Sequence, residues 1–476
     1  MIAITQATTP AYLKSSELYR SLYENKEEDY GNNEIMIPSV NCKLDETVSS
    51  QEDLVHLCHT LRYWGVPGVS RAIVEAAFGP VDMDWNSMVE EFGSELKYIH
   101  GLSQLRQLPK NARITAAIND SYCCPTMVVE VLLKQGCPMP INVYDLAAST
   151  GRLDIIKYFH GYKERFNGIA WNENTSRVAA QKGYISCLQY LHENGCPWEV
   201  RTTITAAGSG HLNCLQYAHE HGCDWNVNTT IVAAEYGHLD CLIYAHEHGC
   251  ALNGRTASAA AENGHLVCLQ YAHEHGCSLH YGVTWLAAKY GHLDCLQYAH
   301  ENGCPWNRIS TKAAAENGHL ACLKYAHEYG CEWNGTIPMA AAENGHLECL
   351  QYAHEHGCPW DANTTRSSAQ SGNLDCLKYA HENDCDWDST TPMAAAENGH
   401  LECLQYAHEH GCEWSRSTTN AAARNGHMSC LQYAHEHGCD WNSSTTRDAA
   451  IGGHLGCLNY ALEEGCEVDS TALEYA

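Results

Sequence analysis

The chain has 476 residues, 45% of them apolar and 18% charged, and a formal net charge of −29. This length exceeds one compact domain of ordinary size, and the negative charge opposes binding to nucleic acid and to acidic membrane surfaces, so we expect several units or an extended array with basic protein partners. The sequence shows neither a membrane-spanning apolar run nor a secretory signal, which predicts a cytoplasmic address, with the nucleus as the alternative, and free thiols.

The N-terminal quarter of the chain does not repeat. Residues 1–35 include the polar run ENKEEDYGNNE and are predicted to form a flexible tail. Residues 36–110 are predicted to form a small, mostly helical domain, because apolar side chains recur there at helical spacing: Leu54, Leu57, Cys58, Leu61 and Trp64.

A strict 27-residue repeat runs from about residue 171 to the end of the chain. It shows most clearly in two cysteine series, which begin at Cys187 and Cys196 and recur every 27 residues to Cys457 and Cys466. Two looser copies precede the strict repeats. In them Val128 and Ile155 take the first cysteine position, which indicates an apolar core position rather than a metal ligand.

One repeat, TTPMAAAENGHLECLQYAHEHGCEW at 390–414, predicts two short helices. Thr390 or Thr391 is expected to cap the first helix, and Gly399 is expected to end it. The second helix is predicted over 400–410, with Gly411 after it.

Helix pairs of this size do not bury their own apolar surface, so each pair must stack on the next. We therefore predict about 13 units over 112–476, stacked as an α-solenoid. The fold class is all-α, with a small helical domain at the N-terminus.

The order of residues in each unit resembles the ankyrin repeat, whose units read T-P-L-H-x-A-A-x-x-G-H-x-x-V-V-x-x-L-L-x-x-G-A. The resemblance covers about three quarters of the chain, and the form GHLECLQYAHEHGCPW is similar to ankyrin arrays of large DNA viruses and protists. Ankyrin units have about 33 residues. The missing residues fall after Trp225-Asn226, where ankyrin proteins carry a β-turn finger, so the resemblance implies reduced fingers.

The many histidines and cysteines suggest a metal site, a disulfide or a catalytic site. Zinc binding by the recurring histidines and cysteines stays an alternative, but His354 and Cys358 supply only two of the four ligands that a tetrahedral site needs. Cys349 and Cys358 would lie about 13 Å apart along a helix, too far for a disulfide. A catalytic Cys-His pair should be unique to one copy, whereas every copy shares these residues, so we predict no enzyme activity and no cofactor.

Recognition is expected at positions that vary between repeats. Two such positions lie four residues apart on the first helix, which faces the concave side in ankyrin arrays. Their discordant members are the candidate partner contacts: Trp285, Lys289, Lys312, Arg366, Arg424 and Arg447.

The resulting hypothesis is a monomeric, non-enzymatic scaffold that binds a protein partner on its concave helix-one face. The alternative is a ubiquitin-ligase adaptor, in which residues 36–110 recruit the ligase and the array holds the substrate.

Overall fold

The computed structural model describes residues 2–5, 34–37, 58, 77, 97–119, 125–162 and 169–468. Near the N-terminus, β1 (Ile2–Thr5) pairs antiparallel with β2 (Glu34–Ile37), Ile2 lying opposite Ile37. These residues were expected in the flexible tail and at the start of a helical domain, and the pairing was not predicted. The predicted helix over 51–64 lies outside the described residues, apart from Cys58, which is helical and buried.

The chain divides into two compact units, Met1–Trp225 and Asn226–Ala476. The division falls between two repeats, and the boundary expected near residue 110 stays a prediction. The helices of the first unit are α1 Lys97–Gln107, α2 Lys110–Asn119, α3 Pro125–Lys134, α4 Val143–Ser149, α5 Leu153–Gly161, α6 Glu173–Gln181, α7 Ile185–Glu193, α8 Val200–Gly208 and α9 Leu212–Glu220.

The second unit consists of nine helix pairs in its described residues. Their bounds are α10 Val227–Glu235, α11 Leu239–Glu247, α12 Gly254–Glu262, α13 Leu266–Glu274, α14 Tyr281–Tyr290, α15 Leu293–Glu301, α16 Arg308–Glu316, α17 Leu320–Glu328, α18 Thr336–Glu343, α19 Leu347–Glu355, α20 Ala362–Gln370, α21 Leu374–Glu382, α22 Thr390–Asn398, α23 Leu401–Glu409, α24 Arg416–Asn425, α25 Met428–Glu436, α26 Ser443–Ile451 and α27 Leu455–Glu463.

The pairs stack in register within each unit. First helices pack on first helices, as α24 does on α22 and α26, and second helices pack on second helices, as α23 does on α21 and α25. The first helices pack more closely on one another than the second helices do. The alanines of the first helix allow this, because a small side chain lets two backbones approach. From α2 to α27 the chain forms thirteen such pairs, and the predicted stacked all-α array is confirmed.

Each first helix begins directly after the loop that follows the previous repeat. In the second unit α23 ends at Glu409, α24 begins at Arg416, and no strand lies between repeats of the described array. The link is too short for a projecting hairpin. The predicted reduction of the β-turn fingers is therefore confirmed.

The cap of the first helix differs from the prediction. Thr391 is fully buried inside α22, and the backbone N–H of Thr390 donates to the Asp388 carboxylate at 2.9 Å. In other repeats an asparagine does the same, as Asn226 does for the N–H of Asn228. The threonine prediction was wrong because the residue after Trp lies outside the helix, where an Asn or Asp side chain reaches the free backbone N–H groups.

The core consists of small and medium side chains from both helices. Ala395, Ala396, Cys403, Leu404 and Ala407 are each at most 1% exposed. The cysteine that follows the second helix links the end of the repeat to its beginning. The Cys439 thiol donates to the carbonyl oxygen of Ser415, the cap residue of α24, at 3.3 Å. All cysteines of the described residues are free and buried. Among those residues, no helix is both long enough and apolar enough to cross a membrane.

Candidate partner-binding face

The positions that vary between repeats lie together on one exposed face of the second unit. We define the middle row as the mid-helix position of successive first helices: Ile231, Ser258, Trp285, Lys312, Met339, Arg366, Met393, Asn420 and Arg447. We define the C-terminal row as the position four residues later: Glu235, Glu262, Lys289, Glu316, Glu343, Gln370, Glu397, Arg424 and Ile451. All except Ile231 are half-buried or exposed. The two rows together are the helix-one face.

Two of the predicted contacts lie side by side on α14. The Lys289 ammonium nitrogen is 5.3 Å from the centre of the Trp285 ring and 5.0 Å from that of Tyr290, within the range of cation–π attraction. Lys312 follows on α16, which packs directly on α14. These residues form one end of a patch that combines aromatic and positive groups.

The three arginines lie further along the same rows. Arg366 and Arg424 are exposed on α20 and α24, and Arg447 lies on α26, next to α24. The Arg447 guanidinium is 3.8 Å from the carboxylate of Asp448. The hydrogen bonds from Thr390 lower the pKa of the Asp388 carboxyl group, and the positive charge of Arg366 lowers it further. The six predicted contacts therefore share a face but do not form a single cluster.

The histidine one residue before the end of most second helices contacts the next repeat. His408 Nδ1 lies 3.0 Å from the Tyr433 hydroxyl, its ring stacks on Trp414 at 4.0 Å, and its edge meets His437 at 5.5 Å between ring centres. The Nδ1–H of His437 donates to the Tyr433 carbonyl oxygen at 2.8 Å. The pattern recurs elsewhere in the second unit, as in His354 with Tyr379 and Trp360, and in the first unit, as in His192 with Tyr217 and Trp198.

This arrangement favours the neutral form of the ring. Burial lowers the pKa of His408 below its ordinary value, repulsion from His437 lowers it further, and Glu409 acts in the opposite direction. Burial and a neighbouring histidine likewise lower the pKa of His192, His327 and His381. These histidines join repeats, a structural role that explains why the residue recurs, and the last repeat, which has no following repeat in the described array, has Leu462 instead.

Cys403 and Cys358 lack the environment of a nucleophile. Burial, and then the Glu402 carboxylate, raises the pKa of Cys403 to about 12, and burial raises that of Cys358 to about 12 as well. A thiol with so high a pKa has almost no thiolate at neutral pH, and the thiolate is the reactive form.

The described residues offer no ready metal centre. They contain no group of three or more His, Cys, Asp or Glu side chains placed to hold a metal ion. In the repeat that contains α19, His354 faces Tyr379 and Trp360, while the Cys358 thiol donates to the carbonyl oxygen of Asn334 at 3.3 Å. The two proposed ligands are thus directed to different partners.

Comparison with known proteins matches part of the array to a family of repeats. Residues 311–472 match the family described as "Ankyrin repeats (3 copies)" in three overlapping segments, 311–388, 365–445 and 393–472. Among solved structures the chain is similar to the crystal structure of the human ASB11 ankyrin repeat domain, with 20% identity, a TM-score of 0.30, and coverage of 33% of this chain and 84% of that one. The search of curated proteins finds no match. The predicted resemblance to ankyrin repeats is confirmed, and such repeats indicate a scaffold for protein–protein interaction.

Two structural features were not predicted from the sequence. One is the hydrogen bond between the histidine of a second helix and the tyrosine of the next repeat, although both residues recur at a constant offset. The other is a cleft over Ser258, bordered by Glu235 and Glu262. The signal for the cleft was present, since Ser258 is the smallest residue of the middle row.

Proposed function

We propose that this protein is a non-enzymatic scaffold that binds a protein partner along the concave helix-one face of its repeat array. The observation that carries the proposal is the separation of constant and varied positions. The Thr, Ala, Cys and Leu positions that recur in each repeat are buried, whereas the varied positions form two partly exposed rows. A surface that varies on a constant frame is suited to recognition, because changes there leave the core intact.

The charges of the array favour a partner that is basic overall. An exposed glutamate ends every second helix of the second unit, as Glu355, Glu382 and Glu409 do. Basic groups of the partner would meet this ladder, which raises the rate of association at low salt. Acidic groups of the partner would pair with Arg366 and Arg447 on the helix-one face. The protein is proposed to act as a monomer in the cytoplasm, with the nucleus as the alternative address.

Neither alternative function gains a specific observation. The adaptor hypothesis depends on residues 36–110, of which few are described, and it stays a prediction. The metal hypothesis would need ligand clusters, and the described residues supply none.

Reversing two charges of the helix-one face tests the proposal. We expect Arg366→Glu together with Arg447→Glu to abolish capture of the partner from a lysate of the source cells, because like charges across an interface repel. The thermal melt should stay within a few degrees of that of the unchanged chain, since Arg366 is exposed and Arg447 is half-buried. Captured proteins are identified by mass spectrometry.

The matched control makes the same change of net charge on second helices. Lys324→Glu together with Lys378→Glu should leave capture of the same partner in place. If the Arg366 and Arg447 variant captures the partner as well as the control does, the proposed face is wrong.

A further inference from the structure

A cleft of about 350 Å³ interrupts the helix-one face of the second unit. Its floor and walls come from α10, α12 and α14: Ile231, Ser258, Ala259 and Leu286. Glu235 and Glu262 stand at one end. This volume is at the lower limit of small-molecule pockets, so it suits one long side chain better than a whole ligand.

The cleft exists because Ser258 is small. Its neighbours in the middle row are Ile231 on α10 and Trp285 on α14, and no other residue of that row has so short a side chain. The only described polar contact of the Ser258 hydroxyl is with His280 Nε2, at 3.3 Å. The space over Ser258 is therefore open between two larger side chains.

The two carboxylates at the end of the cleft are half-buried, and neither has an ion pair among the described residues. Each is the last residue of its helix, Glu235 of α10 and Glu262 of α12, where the helix macrodipole adds negative potential. The side-chain amide of the adjacent Asn263 donates instead to the carbonyl oxygen of Ala259, at 3.0 Å. A cation between the two carboxylates would offset this concentration of negative charge.

We propose that the cleft over Ser258 receives a lysine or arginine side chain of the protein partner, an inference that rests on the proposed function. The aliphatic stem of that residue lies against Ile231, Ala259 and Leu286, and its charged end lies between Glu235 and Glu262. Lysine and arginine combine a long apolar stem with a cationic end, which matches a cleft that has apolar side chains along its floor and two carboxylates at one end. Aspartate and glutamate are excluded, because their charge would meet two carboxylates.

Arg255 also borders the cleft, at the opposite end. It lies in the first turn of α12, seven residues before Glu262 and therefore about 10 Å from it along the helix axis. Arg255 thus leaves the acidic end to the incoming cation. It also fixes the direction of entry, since a cation is repelled at one end and attracted at the other.

Selection from a random 12-residue peptide library displayed on phage tests the inference with the full-length protein. We expect the recovered peptides to share a lysine or arginine at one position. A recovered peptide should bind the Glu235→Gln and Glu262→Gln double variant at least tenfold more weakly, as measured by fluorescence anisotropy. Ser258→Ile, which fills the cleft, should abolish binding, and isoleucine already occupies this register at 231.

The control is the same double change elsewhere in the C-terminal row. Glu316→Gln with Glu343→Gln removes two charges at the same register, on helices whose middle row is filled by Lys312 and Met339. Binding should be unchanged, and circular dichroism should show full helix content for all variants.

The outcomes separate the two proposals. Peptides without a shared basic residue, or peptides that bind equally to the Glu235 and Glu262 variant and to the control, overturn the cleft. If such peptides are weakened by the Arg366 and Arg447 charge reversals, binding on the helix-one face stands and only the cleft fails. If no recovered peptide responds to the Glu235 and Glu262 changes or to the Arg366 and Arg447 changes, both the cleft and the helix-one face proposals are overturned.

Discussion

At the residue scale, the two adjacent threonines Thr418 and Thr419 of α24 have different surroundings although both are buried. Thr419 Oγ1 lies 2.9 Å from the carbonyl oxygen of Asp440 and so ties the loop after the second helix to the first helix. Thr418 Oγ1 is buried without a hydrogen-bond partner among the described residues, as are Thr229 and Thr364. A buried hydroxyl without a partner loses its hydrogen bond to water and receives none in return.

We therefore expect Thr418→Val and Thr419→Val to change stability in opposite directions. Thr418→Val removes an unpaired hydroxyl and should raise the free energy of unfolding by about 1 kcal/mol, whereas Thr419→Val removes a hydrogen bond and should lower it by about 1–2 kcal/mol. Urea unfolding followed by circular dichroism measures both. A fall in stability for both variants would contradict this account of the threonine pair.

At the element scale, the glycine after a first helix has two functions where another repeat follows, as Gly318 shows. Gly318 has φ +75°, a left-handed conformation that ends α16. A Cβ at this position would lie 2.6 Å from His346 Nδ1 of the next repeat. Gly330, which follows α17, has φ +82°, but a Cβ there would meet nothing within 4 Å. The first glycine thus serves both the turn and the stacking, and the second serves the turn alone.

This difference predicts unequal costs for the same substitution. Gly318→Ala and Gly330→Ala each force alanine into the left-handed region, at about 1–2 kcal/mol. Gly318→Ala also forces His346 to move, which should cost about 1–3 kcal/mol more. The urea midpoints of the two variants give the difference, and equal midpoints would show that the contact between Gly318 and His346 does not matter to stability.

At the scale of the whole molecule, the repeated His-Tyr-Trp contact makes stability depend on pH. Each histidine faces a tyrosine, a histidine and at least one carboxylate: for His408 they are Tyr433, His437 and Glu409, and for His381 they are Tyr406, His410, Glu382 and Asp384. In both cases the pKa of the histidine is below its value in the unfolded chain, about 6.5.

The contribution of these histidines to the free energy of unfolding should therefore be fully present above about pH 6.5. It should fall as the pH decreases through that value towards the lower pKa of the folded state, because the unfolded chain takes up protons first. We expect the melting temperature to decrease between pH 7.5 and pH 5. His437→Asn should reduce this decrease, since it removes one source of repulsion on His408, and asparagine already occupies the equivalent position at 302 and 383. A melting temperature that stays constant or rises as the pH falls would contradict this prediction.

The repeat itself made much of the fold predictable. The constant spacing identified the core positions, because a position that is Cys in most copies and Val128 or Ile155 in others is selected for packing. The glycines identified helix ends, and the short interval after each Trp identified the loss of the fingers. The caps were assigned to the wrong residue because Asn, Ser and Thr all cap helices, and only the backbone decides which of them lies outside the helix.

The candidate site, like the fold, was predictable from the sequence only in part. Variation between repeats was enough to place Trp285 and Lys289 on one face of α14, since positions four residues apart share a helix face whatever the tertiary structure. The sequence by itself thus determined the repeat unit, its core and its variable face, all of which follow from local periodicity. Only the tertiary structure decided that His408 pairs with Tyr433, that Gly318 must admit His346, and that Ser258 opens a cleft beside two carboxylates. Each of these depends on how closely one repeat packs on the next, a distance that no single repeat contains.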